Sequence, residues 1–290
     1  MIDTNEPNRK RKLSRLKLVI KEIIEALNVI IPIRLWVKIG MLKKRSVKLS
    51  EVHTHYLSEL CEQGFTEIDL LDFGVTHDLL CEFENALHVQ GARRGSKKAY
   101  QNYFLGGDTD DLLALSDPAV AQTARMIFLN DSLLDLISVV FDNTEPDLRY
   151  LEVAESRSDK APRSERIYSQ NWHRDNGGTK VIKLFICMSD VKPTDGPMEY
   201  VKQTHRSGSK ASALPTRGFG ARTTPSISEG LVSLLQEQIA FVKGPKWSAF
   251  LCDTTGVHRG GNYNASSYRK MATAAYFYGN SSAPIKSRLQ

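Results

Sequence analysis

The stretch Lys180-Val-Ile-Lys-Leu-Phe-Ile-Cys-Met188 belongs to a series of short runs rich in Val, Ile, Tyr and Phe that fills the second half of the chain. Gly, Pro, Asp and Ser separate the runs, as is typical of strands joined by turns. The predicted strands are Leu148–Val153, Arg166–Trp172, Lys180–Met188, Met198–Val201, Ala240–Val242, Trp247–Cys252 and Lys270–Tyr278. Seven or eight short strands without intervening helices predict an antiparallel sandwich or barrel.

The residues before Pro146 have a mostly helical pattern. Helices are predicted at about 49–62, 76–89, 109–129 and 131–141, with suitable Asp, Thr or Ser starts and Gly or Asn ends. A further helix is predicted at 226–238, after a loop from Arg206 to Pro225 of the length that often covers an active site. The predicted organisation is a helical segment at 1–48 and one domain at 49–290, helical at 49–145 with a strand-rich core at 146–280.

Positive charge is concentrated at the start of the chain. Residues 1–50 hold thirteen Lys or Arg against four acidic side chains, a local excess of +9. The remaining 240 residues hold 26 basic and 29 acidic side chains, a balance of −3, so a nucleic-acid role is disfavoured. Apolar residues from Leu13 to Ile30 recur in steps of three and four, which predicts a basic amphipathic helix. Residues 9–45 would therefore either contact an anionic membrane or pack against the domain or a second subunit.

The cysteines and the N-terminus predict a cytoplasmic protein, with peripheral membrane contact as the open point. Four cysteines lie far apart, without the spacing of a zinc site or the density of a disulfide scaffold, and are expected to be reduced and mostly buried. Charged residues interrupt the N-terminal apolar region, which argues against a signal peptide. No window reaches the roughly 18 apolar residues of a spanning helix. The oligomeric state is not readable.

Two segments carry the candidate chemistry. The first is Ser169-Gln-Asn-Trp-His-Arg-Asp-Asn-Gly-Gly178, in which alternation at a strand end would point His173 and Asp175 into one cavity. The second is Phe250-Leu-Cys-Asp-Thr-Thr-Gly-Val-His-Arg-Gly-Gly261, which adds His258 after a hydrophobic strand and a turn. Two imidazoles and one carboxylate leave three metal positions open, as non-haem iron(II) oxygenases require. Arg269, eleven positions after His258, could pair with the far carboxylate of a small diacid.

Three elements in order resemble the phytanoyl-CoA dioxygenase family over roughly residues 146–280. They are Trp172-His173-X-Asp175, then Gly196-Pro-Met-Glu-Tyr-Val-Lys-Gln-Thr-His205, then His258 with Arg269. The resemblance implies a double-stranded β-helix (jelly-roll, cupin-like) core preceded by a helical region. It also implies iron(II) held by His173, Asp175 and His258, with 2-oxoglutarate anchored by Arg269.

One position departs from the family pattern. Family members often have a hydroxyl residue two positions after the distal His, where this chain has Gly260. The second contact to 2-oxoglutarate would then come from Thr254, Thr255 or Ser267, and Thr255 is the residue we select.

The implied activity is a dioxygenase reaction with O2 and 2-oxoglutarate as cosubstrates, which hydroxylates a small-molecule, lipid-linked or glycan substrate and releases succinate and CO2. Because Asp175 supplies a carboxylate ligand, hydroxylation is favoured over halogenation. The alternative is a non-catalytic jelly-roll protein that acts as a membrane-surface adaptor or binding module. Fold alone does not identify the substrate.

Several other residues are given structural roles. His205 is expected at a turn after a core strand, and Trp172 and Trp247 are expected in the core. Arg174 and Arg259 flank the ligands and could contact an anionic substrate or form ion pairs within the domain. Solvated or core-edge positions on helices are expected for His53, His55, His77 and His88.

Overall fold

The computed structural model describes residues 45–94, 100–106, 118–158, 170–175, 180–213, 227–261 and 267–278. The strand predicted at 166–172 lies mostly outside these ranges, as do the amphipathic segment before residue 45 and the later part of the loop predicted at 206–225. Within the described ranges, no helix has both the length and the apolar composition of a membrane span.

Five α-helices are described, most of them before the strand-rich half. Ser50 begins the first by accepting a hydrogen bond from the backbone N–H of His53, and Asn130 begins the fourth by accepting one from Leu133. Gly64 ends the first helix with φ of 72°, a left-handed conformation that favours glycine. In chain order the helices are α1 (Glu51–Gln63), α2 (His77–Arg94), α3 (Pro118–Phe128), α4 (Asp131–Val140) and α5 (Glu229–Ser233).

The described ranges contain nine strands, which form two antiparallel sheets. They are β1 (Phe65–Ile68), β2 (Tyr100–Gly106), β3 (Pro146–Ser158), β4 (Val181–Cys187), β5 (Met198–Val201), β6 (Ile239–Val242), β7 (Ala249–Asp253), β8 (His258–Gly260) and β9 (Ser267–Tyr278). The larger sheet has the order β1-β7-β4-β9-β3-β2, and the smaller has the order β6-β5-β8. Strands that are distant in sequence are therefore neighbours, and the two sheets give the jelly-roll core that the resemblance implies.

Alternation along the strands gives the larger sheet two different faces. Ile182, Leu184 and Ile186 of β4 belong to the apolar cluster that includes the helices α1 to α4. Phe185 and Cys187 of the same strand face the smaller sheet, where they pack with residues of β5, β6, β7 and β9. Because the side-chain period of a strand is two, the odd-numbered positions of β4 face the jelly-roll interior. This interior is where the candidate ligands lie.

The predicted elements agree with the structure where hydrophobic periodicity was clear. The helices at 49–62, 76–89 and 131–141 and most of the predicted strands are confirmed within a few residues at each end. The helix predicted at 226–238 is wrong in length, because only Glu229–Ser233 is α-helical and a 3-10 turn follows at Gln236–Gln238. The helix predicted at 109–129 is described only from Pro118, where it runs to Phe128.

Three strands and two cysteines depart from the predictions. The strands β1, β2 and β8 were not predicted, because each is short or lacks clear alternation and is stabilised by pairing with a partner distant in sequence. The prediction of mostly buried thiols is wrong for Cys61 and Cys81, which are exposed on α1 and α2. Cys187 and Cys252 are buried, as expected for interior strand positions.

Candidate metal centre

A two-way backbone bridge places the two histidines side by side. The N–H of His173 donates to the carbonyl of His258, and the N–H of His258 donates to the carbonyl of His173, both at 2.9 Å. The N–H of Asp175 then donates to the carbonyl of Thr254 at 2.9 Å. The segment 173–175 thus runs antiparallel to β8 and the preceding turn. This pairing brings together side chains that are more than eighty residues apart in sequence.

The three candidate ligands converge in the jelly-roll interior. Nε2 of His173 lies 4.0 Å from Oδ1 of Asp175, and Nε2 of His258 lies 3.9 Å from Oδ2 of the same carboxylate. One donor atom from each residue lies within 4.8 Å of the others, and among the described residues this is the one such group of His, Cys, Asp and Glu. Metal–ligand bonds are about 2.0–2.2 Å long, so a modest side-chain adjustment would let the three atoms share one ion.

Hydrogen bonds fix both imidazoles in the form that binds a metal. Nδ1 of His173 lies 2.7 Å from the carbonyl oxygen of Asn171, and Nδ1 of His258 lies 2.9 Å from the carbonyl oxygen of Gly256. A carbonyl oxygen only accepts, so each Nδ1 carries the proton and each Nε2 presents a lone pair. Partners of this kind are common behind metal-bound histidines.

The electrostatics also fit a divalent ion. Burial lowers the pKa of His258 to about 3 and lowers the pKa of His173, so both imidazoles are neutral near pH 7. Burial alone would raise the pKa of Asp175, but the positive charge of Lys183 outweighs burial and holds this pKa well below its usual range. Two neutral nitrogens and one ionised carboxylate are the protonation states that metal binding requires.

Lys183 is part of the site, and the sequence alone offered it only as another cation that could anchor the diacid in place of Arg269. Its Nζ lies 2.7 Å from Oδ2 of Asp175. The sequence signal was present, since Lys183 is the one charged residue in the apolar run Val181–Cys187 and shares the parity of the interior positions.

Arg269 lies at a different level of the interior. On β9 its position shares the parity of Met271, which packs in the cluster between the sheets. Its guanidinium donates to the carbonyl of Gly196. Lys183 is paired with Ala275, six positions further along β9, so the two cations lie at separate heights of the interior. Arg269 as the anchor of a diacid stays a prediction.

The hydroxyl groups proposed as a second cosubstrate contact have protein partners. Thr255 Oγ1 donates to Oδ1 of Asp253 at 2.6 Å and accepts from the N–H of Arg206 at 3.2 Å. Ser267 Oγ donates to the carbonyl of Thr194 at 3.3 Å. Thr254 Oγ1 lies 3.5 Å from the carbonyl of Val181. Thr255 as a cosubstrate contact stays a prediction.

The two arginines beside the ligands form contacts within the domain. Arg174 donates to the backbone carbonyls of Thr204, Thr255 and Ala211. Arg259 pairs with Glu199 and Glu229, and its guanidinium lies 4.0 Å from the ring centroid of Trp172. Arg259 therefore shows the ion pairing within the domain that the sequence left open, and the contacts of Arg174 are hydrogen bonds to backbone carbonyls.

A tyrosine that the sequence analysis did not single out supports the turn before His258. The buried hydroxyl of Tyr200 donates to the carbonyl of Asp253 at 2.9 Å. A Cβ at Gly64 or Gly256 would lie only 2.2 or 2.1 Å from this hydroxyl oxygen. Both positions therefore require glycine, and Gly256 is the residue whose carbonyl orients His258.

The remaining histidines and thiols have structural roles where they are described. Nε2 of His205 lies 3.0 Å from the carbonyl of Cys61, and His53 stacks on Phe73 with ring centroids 4.4 Å apart. Burial raises the pKa of the Cys187 thiol to about 12 and that of Cys252 well above its ordinary value, so both remain protonated. The side chain of His88 lies outside the described set.

Comparisons with known proteins relate this fold to a set of solved structures. No family model and no curated protein matches the chain. HygX from Streptomyces hygroscopicus, solved with nickel and 2-oxoglutarate, is 17% identical over 81% of this chain and 88% of its own, with a TM-score of 0.54. EctD from S. alaskensis, solved with 2-oxoglutarate and 5-hydroxyectoine, is 13% identical over 81% and 82%, with a TM-score of 0.53.

A third similar structure is the non-haem α-ketoglutarate-dependent carbocyclase SnoK from nogalamycin biosynthesis. It is 15% identical over 84% of this chain and 92% of its own, with a TM-score of 0.52. At these identities the similarity establishes a shared jelly-roll fold.

Proposed function

We propose that the chain is an Fe(II)- and 2-oxoglutarate-dependent oxygenase of the phytanoyl-CoA dioxygenase type. The observation that carries the proposal is the interior cluster of His173, Asp175 and His258, whose Nε2 atoms and carboxylate face one another within 4.8 Å. Two nitrogens and one carboxylate on one side of an ion are the donor set of non-haem iron oxygenases. The motif resemblance and the jelly-roll fold support the same assignment independently.

The protein groups would divide the work as follows. His173 and His258 hold the ion through neutral Nε2 atoms, and Asp175 adds the negative charge. When bound, iron(II) supplies the activation of O2 that is coupled to decarboxylation of 2-oxoglutarate to succinate. Arg269 would bind the far carboxylate of 2-oxoglutarate and orient it. The apolar walls of the interior, which include Phe185 and Met271, would limit the access of water to the cosubstrate.

Hydroxylation is the outcome that the ligand set favours. Asp175 occupies the position that a halide would need, which argues against halogenation. SnoK shows that this fold also serves a carbocyclase, so product analysis has to accompany any activity measurement. A small molecule is the proposed substrate class, and the narrower prediction of a lipid-linked or glycan substrate remains to be tested.

Succinate release by purified, iron-loaded protein tests the proposal. We expect one class among acyl-CoAs, amino acids, sugars, phosphonates and natural products to release succinate in step with an oxidised product. His258→Ala should abolish this turnover, whereas His55→Ala, on the exposed face of α1, should leave it unchanged. Folded wild-type protein that takes up no metal would overturn the proposal. Stoichiometric metal binding without any turnover would instead support the non-catalytic binding module.

A further inference from the structure

We propose that Lys183 couples the two binding events at this site, weakening the binding of the metal ion and strengthening the binding of the anionic cosubstrate that follows. The proposal rests on the proposed function and assigns a role to a residue outside the ligand set. It begins from the 2.7 Å ion pair between Nζ of Lys183 and Oδ2 of Asp175.

The position of Lys183 is fixed by the sheet. It lies in the middle of the larger sheet, paired with Cys252 of β7 on one side and with Ala275 of β9 on the other. Both neighbours are uncharged at neutral pH, so neither offers the ammonium group a counter-ion. The ammonium group is therefore aimed at the carboxylate that would bind the metal.

The charge at the site follows from these contacts. With both imidazoles neutral, Asp175 contributes −1 and Lys183 contributes +1, so the protein part of the centre is close to neutral before an ion enters. A divalent ion would still bind the three donor atoms, but it would meet no net negative charge there and would share the carboxylate with a nearby cation. Charges interact strongly in a partly buried interior, where the effective dielectric is low. Lys183 should consequently make metal binding weaker than an uncharged side chain would.

The same charge has the opposite effect on the next ligand. Once the ion is bound, the ion and its three ligands carry a net charge of +1. Lys183 raises the net charge of the centre to +2. That surplus favours a carboxylate chelated at the metal, because opposite charges attract strongly where the effective dielectric is low. Lys183 would thus tend to keep the ion loosely held until the dicarboxylate arrives.

Calorimetry with redox-inactive Ni(II) tests this coupling without turnover. Ni(II) is titrated into metal-free protein, and 2-oxoglutarate is then titrated into the Ni(II)-loaded protein. In Lys183→Met, which removes the charge and keeps the length, we expect Ni(II) to bind about tenfold more tightly and 2-oxoglutarate about tenfold more weakly. Lys183→Arg, which keeps the charge, should remain close to wild type in both titrations.

Lys180, three positions before Lys183, provides a matched control. Lys180 also pairs with an aspartate, at 3.1 Å from Oδ2 of Asp142, but this pair lies on the outer side, where Lys180 also donates to the carbonyl of Val140. Lys180→Met should therefore change neither binding constant. If Lys183→Met fails to fold, Lys183→Gln provides a second uncharged variant for the same measurements.

The outcomes separate this proposal from the proposed function. Opposite shifts for the two ligands support the coupling role. Weaker Ni(II) binding in the uncharged variants would mean that Lys183 merely orients Asp175, and unchanged constants would mean that its charge is not felt at the centre; either result overturns the coupling while the proposed function stands. A wild-type protein that binds neither Ni(II) nor 2-oxoglutarate would overturn both.

Discussion

Two cationic side chains, Lys183 and Arg269, lie at different heights of the jelly-roll interior. Lys183 lies beside Asp175, and Arg269 lies near Gly196 at the start of β5. Arg259, which the sequence left as a possible contact to an anionic substrate, pairs with Glu199 and Glu229. The role of Arg269 as the anchor of the far carboxylate stays a prediction.

Replacing Arg269 by Ala should raise the concentration of 2-oxoglutarate needed for half-maximal turnover while leaving the requirement for the primary substrate nearly unchanged. Loss of one partner from a desolvated charge pair costs about 2–5 kcal/mol, which is well over tenfold in affinity. Titration of 2-oxoglutarate into the variant measures this effect. Arg125→Ala, on the exposed face of α3, is the control. An unchanged cosubstrate constant would transfer the anchoring role to another cation, with Lys183 the first candidate.

The buried side chain of Arg259 connects β8, the strand that carries His258, to the neighbouring elements β5 and α5. Arg259 follows His258 on β8 and donates through Nε and Nη2 to Oε2 of Glu199 on β5, at 3.0 and 2.8 Å. The side chains of Arg259 and Glu199 are 10% and 14% exposed, whereas the other partner, Glu229 on α5, is 64% exposed. The two carboxylates should therefore contribute unequally to stability.

Neutralising these carboxylates one at a time tests that inequality. Glu199→Gln should lower the free energy of unfolding by about 1–3 kcal/mol, because it weakens charge-assisted hydrogen bonds of a mostly buried guanidinium. Glu229→Gln should cost less than about 1 kcal/mol, because exposed ion pairs are screened by water. Urea unfolding of both variants and wild type gives the comparison. Equal losses would contradict this account of how β8 is held.

For the whole molecule, Arg45 marks where the basic N-terminal region joins the folded domain. Its guanidinium pairs with Asp131, Asp135 and Glu145, and its N–H donates to the carbonyl of Asn143 at 2.8 Å. Burial opposes the charged form of Arg45, yet these carboxylates raise its pKa overall. The charge of Arg45 is therefore neutralised by carboxylates of the domain, and we do not expect it to attract an anionic membrane surface.

Two N-terminal deletions should consequently behave differently. Removal of residues 1–44 keeps Arg45 and should leave the domain stable and active. Removal of residues 1–48 also leaves Glu145 without this partner, and it should lower the unfolding free energy by about 1–3 kcal/mol. Thermal unfolding of the two proteins measures the difference. Equal stabilities would show that the Arg45 contacts contribute little.

The membrane hypothesis is tested with the same deletions. Full-length protein should sediment with anionic vesicles and not with neutral ones, since each Lys or Arg near an anionic surface contributes about 1 kcal/mol. The protein lacking residues 1–44 should stay in solution with both kinds of vesicle. If full-length protein ignores anionic vesicles, or if the shorter deletion unfolds the domain, the N-terminal segment has a structural role.

Local patterns in the sequence were enough to predict the class of fold and the candidate ligands. Short alternating runs after Pro146 predicted the antiparallel core, because a strand with one face on a core and the other against helices or solvent shows its period locally. The motif at His173 and Asp175, followed by His258 and Arg269, predicted the metal centre. Each part of this motif lies within a few residues of a strand end or a turn, so it can be recognised from the sequence. The structure brings the three proposed ligands together.

The groups that surround those ligands could not be predicted from local patterns, because they depend on how the strands pair. Lys183 meets Asp175, Arg259 meets Glu199, and the Tyr200 hydroxyl fills the space left by Gly256 through pairings between strands that are distant in sequence. Alternation gives the face on which a side chain lies, but the register between strands determines what it contacts. The short strands β1 and β8 were missed for the same reason, because their stability comes from partners far along the chain.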